Sequence, residues 1–500
     1  MRAHRYALLG LAAVATLTLV TADAAFAQKD FSRGGSPNIG SSAPRGPVRG
    51  GGGFQGGGFR GGGGWGVVVP GVLMAIPQMG PPGGQYIADD DDLPPGAGRS
   101  PQRSSRRGPS GAPAANERRL VPDEVVIEVA NSVSAAQIDA LQNRFRLTRV
   151  ESQTFQLSGT TLYRWRIPDR RSVPTVVRAL EADRLVASAQ PNYLFTLQQD
   201  EPKAATEGDA AQYELAKLRL PQAHELAKGD KVLVAVIDSG VDASHLELAG
   251  AVAETYDALS APLTPHKHGT AIAGLIAAHG KLMGAAPGAR ILAVRAFDGA
   301  GASAEGTTYN ILKGLDWAAA NGARVINMSF AGPSDPAVHR SLAAAHKKGI
   351  VLIAAAGNAG PKSPPLYPAA DPNVIAVTAT DADDKLFEQA NRGRHIAVAA
   401  PGAQILVAIP DGGYEVSSGT SYSAAEVSGI AALMLERNGD LTPDKVRDIL
   451  LATAKDLGPK GRDIMFGAGL ADAFGALTAE ETPKTAAVPR PVERASTGAR

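Results

Sequence analysis

An aspartate, a histidine and a serine each stand at an element boundary of this chain, in residue types that together could carry out acyl transfer. Val232–Asp238 is an apolar run closed by a carboxylate and followed by Ser239 and Gly240. His266-Lys267-His268-Gly269 opens an apolar stretch that reads as a helix, and Ser418-Gly419-Thr420-Ser421 leads through Gly429 into the apolar helix Ile430–Leu435. A serine hydroxyl is a poor nucleophile until a base takes its proton. Histidine serves near neutral pH, and a carboxylate behind it fixes the tautomer and stabilises the imidazolium. Ser421 falls in the first turn of its helix, where unpaired N–H groups and the positive end of the dipole can hold an oxyanion. Ala354–Asn358 ends in a side-chain amide suited to the same task. Taken singly these signals are common, and the His266/His268 pair lacks a third residue at metal-ligand spacing. Together, in the chain order Asp, His, Ser, they form one of the known orders of this constellation.

Such residues need a frame. Short apolar runs at Val232–Ile237, Ile291–Ala296, Val325–Met328 and Ile350–Ala355 alternate with helical patterns at His268–His279, Gly306–Ala320 and Ala337–Lys348. Continuous apolar strands separated by amphipathic helices predict an α/β domain, a parallel sheet covered on both faces. Ligands in such folds meet the carboxyl ends of the strands, where Asp238 falls.

A smaller module precedes this domain. Glu124–Ala130 reads as a strand, and Ser134 with Gln137 forms a capping box opening a helix with Ile138, Leu141 and Phe145 on one face. Strand patterns follow near Leu147–Phe155 and Thr161–Ile167. Ser172 then begins a helix through Val173, Val176, Val177 and Leu180, and a last strand runs from Val186 toward Phe195. The order βαββαβ predicts a ferredoxin-like α+β unit.

Composition bounds the rest. The chain has 500 residues, 50 basic against 49 acidic, and no cysteine. That excludes disulfides and thiol nucleophiles, and gives no field favouring nucleic acid or an anionic membrane as a partner. Arg2, His4 and Arg5, the apolar run Ala7–Val20 and the small residues of Ala25-Phe26-Ala27 compose a secretory signal, predicting an exported chain, periplasmic or extracellular, without a transmembrane anchor after cleavage. Residues 28–117 are rich in Gly, Pro and Arg and cannot bury enough apolar area to order themselves. The expected organisation is a signal peptide (1–27), a disordered segment (28–117), the module (120–198), a linker (199–212), the large domain (213–478) and a disordered tail (479–500).

Residues 213–477 resemble the peptidase domain of the subtilases, the subtilisin-like serine peptidases. The resemblance rests on the three segments above, on Val325–Phe330, on Tyr367-Pro368-Ala369-Ala370, on Asn373–Val377 and on Ala400-Pro401-Gly402. Residues 120–198, with the ending Gln190-Pro191-Asn192-Tyr193, are similar to the family's inhibitory propeptide. It implies an endopeptidase with Asp238, His268 and Ser421 as triad, Asn358 and the Ser421 N–H as oxyanion hole, and substrate residues at Ser329, Phe330, Ala331, Gly332, Ala355 and Gly357. Substrate would add as a strand near Ser329–Gly332, with Phe330 in the first pocket. The partners implied are protein or peptide substrates and the chain's own residues 120–198 as intramolecular inhibitor, with maturation by self-cleavage between about Gln198 and Tyr213. No cofactor or metal is needed for the chemistry, and no acidic loop is distinctive enough to assign the structural calcium common in the family. Three positions depart from the family pattern after the nucleophile: Ser423, Ala425 and Glu426, the last expected to face outward or to pair with a base, the alternative being burial near His268, where it would perturb that group. The alternative is a weakly active or inactive member serving as a binding protein of the cell envelope.

Overall fold

The computed structural model describes residues 110–198, 212–259, 266–299 and 304–479. The expected signal peptide (1–27), most of the 28–117 segment, the 199–211 stretch and nearly all of the 479–500 tail lie outside the described residues.

The module runs β1 (Leu120–Ala130), α1 (Ala135–Phe145), β2 (Thr148–Phe155), β3 (Thr160–Arg166), α2 (Val173–Glu181) and β4 (Val186–Leu197). Its strands stand in the order β4-β1-β3-β2, all antiparallel. The capping box forms as expected: Ser134 Oγ accepts the Gln137 N–H, and Gln137 Oε1 accepts the Ser134 N–H at 2.9 Å. One sheet face packs on α1 and α2 around Ile127, Leu141, Trp165 and Leu180. Order begins earlier than composition implies. The Gly111 N–H donates to Glu181 Oε1, and the Leu194 N–H donates to the Arg119 carbonyl, so residues 110–119 lie along the module.

The large domain opens with α3 (Tyr213–Lys217) and α4 (Leu220–His224), and continues with β5 (Leu233–Asp238), β6 (Val252–Asp257), α5 (Lys267–Ala277) and β7 (Arg290–Arg295). Next come β8 (Glu305–Thr307), α6 (Thr308–Ala320), β9 (Val325–Met328), β10 (Phe330–Ala331), α7 (Pro336–Lys347), β11 (Val351–Ala355), β12 (Ile375–Thr380) and β13 (Ile396–Pro401). A hairpin of β14 (Ile405–Ile409) and β15 (Gly413–Ser417) precedes α8 (Thr420–Arg437), α9 (Pro443–Thr453) and α10 (Ala473–Ala479). Seven parallel strands in the order β13-β12-β11-β9-β5-β7-β6 form the central layer.

Core residues split by sheet face, as a doubly covered sheet requires. Val234, Val236, Ile353 and Val377 face α5 and α8, while Ala235, Ile237, Ile326 and Leu352 face α6 and α7. Strand order reverses beside β5, with β7 on one side and β9 on the other, so the crevice opens where Asp238 ends its strand. The free face of the module sheet, through Val126, Phe155, Leu162 and Tyr193, joins the α6–α7 side of this core. There the module supplies two neutral amides to helix starts: Asn192 Oδ1 accepts the Tyr309 N–H of α6 at 3.2 Å, and Gln190 Oε1 accepts the Ala337 N–H of α7 at 3.0 Å. Asn192 satisfies an N–H that α6 leaves unpaired, and Gln190 shares the Ala337 N–H with the N-cap carboxylate of Asp335.

Candidate active site

Two glycines let Asp238 and His268 meet. Gly240 takes a φ of +96° just after β5, and Gly269 lies so near it that a Cβ there would stand 2.2 Å from the Gly240 carbonyl oxygen. Only a backbone without side chains allows α5 to start against that turn. His268 Nδ1 thereby comes within 2.9 Å of both Asp238 carboxylate oxygens, and both side chains are fully buried. Ser239 also serves the carboxylate, its N–H donating to Asp238 Oδ1 at 2.7 Å and its hydroxyl at 2.9 Å. With Nδ1 committed, His268 Nε2 is buried and has no hydrogen-bond partner among the described residues.

Ser421 is the second residue of α8, and the adjoining Tyr422 places its ring centroid 6.2 Å from that of His268. The Ser421 hydroxyl donates to the Gln198 carbonyl and lies 3.3 Å from the Ser329 carbonyl. Asn358 is held by its own oxygen: Oδ1 accepts the Thr420 N–H at 3.1 Å and the Thr420 hydroxyl at 2.8 Å. This arrangement leaves Asn358 Nδ2 buried and unpartnered, a donor with nothing to donate to among the described residues. An idle buried donor on the residue bonded to Thr420, next to Ser421, is suited to stabilise negative charge developing there.

The cleft is filled by the chain itself. The end of β4 lies between β8 and β10 and pairs antiparallel with both, Thr196 opposite Glu305 and Ala331, and Leu197 opposite Phe330. The Leu197 N–H donates to the Ala304 carbonyl at 3.3 Å, and the Gln198 N–H to the Ser329 carbonyl at 3.2 Å. Gln198 Oε1 accepts the Asn358 N–H at 2.9 Å. A cleft of about 690 Å³ bordered by Gln198, Asn358, Ser363 and Leu366 continues beside this side chain.

Phe330 lies against aromatic side chains. Its ring meets Phe195 edge-on at 5.9 Å and Phe297 at 4.9 Å, forming an aromatic pocket three residues upstream of Gln198. Gly332 closes that pocket, since a Cβ there would stand 2.2 Å from the Phe195 ring. Ala331 contributes backbone pairing to Thr196, and Ser329 a carbonyl. Ala355 is buried at the end of β11, and Gly357, at φ +108°, turns the chain toward Asn358 with its N–H on Thr420 Oγ1 at 3.1 Å. Sequence reasoning placed Gln198 at the edge of the maturation span without its place in the cleft, and it missed β8. Gln198 was assigned to the end of the module, and three residues of extended chain carry no periodic signal.

Glu426 neither faces outward nor meets a base. It is 1% exposed inside α8, its Oε2 has no partner among the described residues, and burial followed by the charge of Glu214 pushes its carboxyl well up. Glu214 is fully buried in α3, and burial, opposed only in part by its own backbone N–H and the Gln212 side chain, raises it to about 7. Ser423 is bound in, its hydroxyl 2.9 Å from the carbonyls of Ala400 and Pro401, so the departure ties α8 to the end of β13. Ala425 continues α8 without interruption. Among the described residues no cluster of three or more His, Cys, Asp or Glu could hold a metal, and no helix is long and apolar enough to cross a membrane.

A parallel sheet whose switch point carries an Asp–His pair, beside a serine at a helix start and a cleft that takes an extended strand, defines a serine hydrolase that acts on polypeptide chains. Comparison with known proteins narrows the class. The subtilase family model matches residues 229–469. Thermitase of Thermoactinomyces vulgaris is 38% identical over 231 residues, covering 45% of this chain and 81% of the relative. The thermophilic serine proteinase of Bacillus sp. (strain AK1) is 35% identical over 316 residues, covering 61% and 76% respectively. The crystal structure of fervidolysin from Fervidobacterium pennivorans, a keratinolytic enzyme related to subtilisin, superposes with a TM-score of 0.61 at 25% identity, over 73% of this chain and 61% of that one. The chain belongs to the subtilase family and is a serine-type endopeptidase.

Proposed function

We propose that the chain is an exported endopeptidase made as a self-cleaving zymogen, with Asp238, His268 and Ser421 as its triad and the Gln198–Gln199 peptide as its maturation site. The observation that carries this reading is the Ser421 hydroxyl donating to the Gln198 carbonyl, at the end of a strand paired on both edges of the cleft. A substrate backbone would be held the same way, by main-chain hydrogen bonds that are indifferent to side chains.

In the mechanism, His268 Nε2 takes the Ser421 proton as Oγ attacks the carbonyl carbon. Asp238 keeps the proton on Nδ1 and stabilises the imidazolium. Asn358 Nδ2 and the Ser421 N–H receive the oxyanion. Collapse expels the amine, protonated by His268, and leaves an acyl-enzyme that water hydrolyses by the same steps reversed. After the cut, residues 110–198 remain as inhibitor through the β4 pairing, the helix-capping amides of Gln190 and Asn192, and Phe195 in its aromatic pocket. Export rests on the signal-like residues 1–27 and agrees with the secreted character of such peptidases.

The test is purification of the exported wild type beside Ser421→Ala, with intact mass, N-terminal sequence and casein hydrolysis. The expected result is a wild type starting at Gln199 that degrades casein, and a variant that keeps its module and does not. A wild type that stays whole and inert while folded refutes the reading in favour of a binding protein.

A further inference from the structure

His266 precedes the helix that carries His268, and the triad scheme makes no use of it. Its half-buried ring sits at the N-cap of α5, with Nδ1 3.0 Å from Ser239 Oγ and 3.4 Å from the backbone nitrogen of His268. Gly299 leaves room for the ring, since a Cβ there would lie 2.5 Å from His266 Cδ2. Ser239 Oγ lies 2.9 Å from Asp238 Oδ1 and accepts the Gly269 N–H at 3.3 Å. One hydroxyl proton therefore stands between two acceptors, the carboxylate that orients His268 and a second imidazole.

The two protonation states of His266 have different consequences. When neutral, with its proton on Nε2, Nδ1 accepts the His268 backbone N–H and shares the Ser239 proton with Asp238. When protonated, Nδ1 becomes a donor, the cap on α5 is lost, and Ser239 must direct its proton wholly to Asp238. A cation then sits one hydroxyl away from the carboxylate and opposes the imidazolium that His268 must become during acyl transfer.

We infer that His266 is a positioning residue, holding the Ser239–Asp238 pair through its neutral Nδ1 and switching the triad off when it takes up a proton. The inference rests on the triad reading above. The charged and titratable neighbours of this group are Asp238 on β5, His268 and Lys267 on α5, with Lys267 3.6 Å from Glu415 of β15, and Asp298 next to Gly299 in the chain. Residues 260–265 and 300–303 add no acidic, basic or histidine side chain. Burial holds the His266 imidazole below its usual range; Asp238 pulls it up, while His268 and Lys267 push it further down. The neutral, active arrangement therefore prevails at neutral pH.

The experiment is kcat/KM for a peptide anilide from about pH 4.5 to about pH 9 with mature wild type, H266N, H266A and H268A. Wild type should lose activity on the acid side with two coupled protons, and H266N with one. H266A should lose about tenfold in kcat with KM unchanged, and H266N, whose side-chain oxygen restores a neutral acceptor, should recover most of it. A one-proton acid limb in wild type, or a two-proton limb that persists in H266N, overturns the inference. An active H268A would instead sink the triad reading, so the two failures are distinguishable. Should the His266 variants fail to mature, the low-field His268 Nδ1–H resonance is followed in the uncleaved Ser421→Ala chain. Two titration steps with His266 and one in H266N support the inference, and one step in both overturns it.

Discussion

Glu426→Gln should make the enzyme more stable in alkaline solution, and the structure sets the size of the effect. Glu426 and Glu214 are 1% and 0% exposed, and neither finds a cation or a full set of donors among the described residues. Burial raises Glu214 from its ordinary 4.5 to about 7, and raises Glu426 well above its ordinary value, Glu214's charge adding to the latter. Both carboxyls are more basic folded than unfolded, so the folded state holds the extra protons and stability falls as pH rises. The contribution is fully present below about 4.5 and is lost as pH climbs through about 7 and beyond. For Glu214 that displacement is worth about 3 kcal/mol. Removing Glu426 abolishes its own penalty and relieves its neighbour. In an uncleaved Ser421→Ala background, which prevents autolysis, thermal unfolding of Glu426→Gln at pH 9 should occur about 4–6 °C above the parent, and nearly with it at pH 5. Glu214→Gln should show part of the same gain, and the double variant less than the sum, because the two groups interact. A Tm difference that does not change with pH, or a Glu426→Gln chain less stable than its parent at pH 9, refutes the account.

Two further outcomes follow from carboxylate and amide placement. Glu247 is 1% exposed, and the Tyr414 hydroxyl with the N–H groups of Gly280, Lys281 and Leu282 outweighs the upward push of burial and holds its carboxyl low. Glu247→Ala should therefore lose about 2–4 kcal/mol at neutral pH by thermal or denaturant unfolding, with the deficit shrinking as acid protonates the parent. Asn358→Leu, which removes the idle Nδ2, should cut kcat by about 10²–10³ with KM little changed; a loss confined to KM would remove Asn358 from the oxyanion hole.

What could be read from the sequence was local. Asp238, His268, Ser421 and Asn358 stand at strand ends and helix starts, and apolar patterning announces such boundaries without knowledge of the partner. What could not be read depends on residues far apart in the chain. Glu426 lies five residues after Ser421 in sequence, yet its environment is set by burial and by Glu214 on a five-residue helix at the start of the domain, which no periodicity links to it. That the Phe330 ring packs on Phe195 and Phe297 could not be read either, because successive residues of a strand face opposite ways and the segment alone leaves the side chain's target open. Residues 110–119 have the composition of a spacer, and β8 has only three residues; both take their form from β4, the first by hydrogen bonding to Leu194 and the second by ladder pairing from Leu194 to Thr196. That dependence has a physical consequence. A strand that orders the cleft it occupies is stabilised by contacts that would disappear if it left, so under the proposed maturation β8 and β10 would lose one ladder partner, which a substrate strand would restore. On the proposed zymogen reading, inhibition and substrate binding draw on the same main-chain hydrogen bonds, with discrimination left to the side chains at Phe195 and Gln198 and to the amides of Gln190 and Asn192 at the helix starts, which a short substrate would not reach.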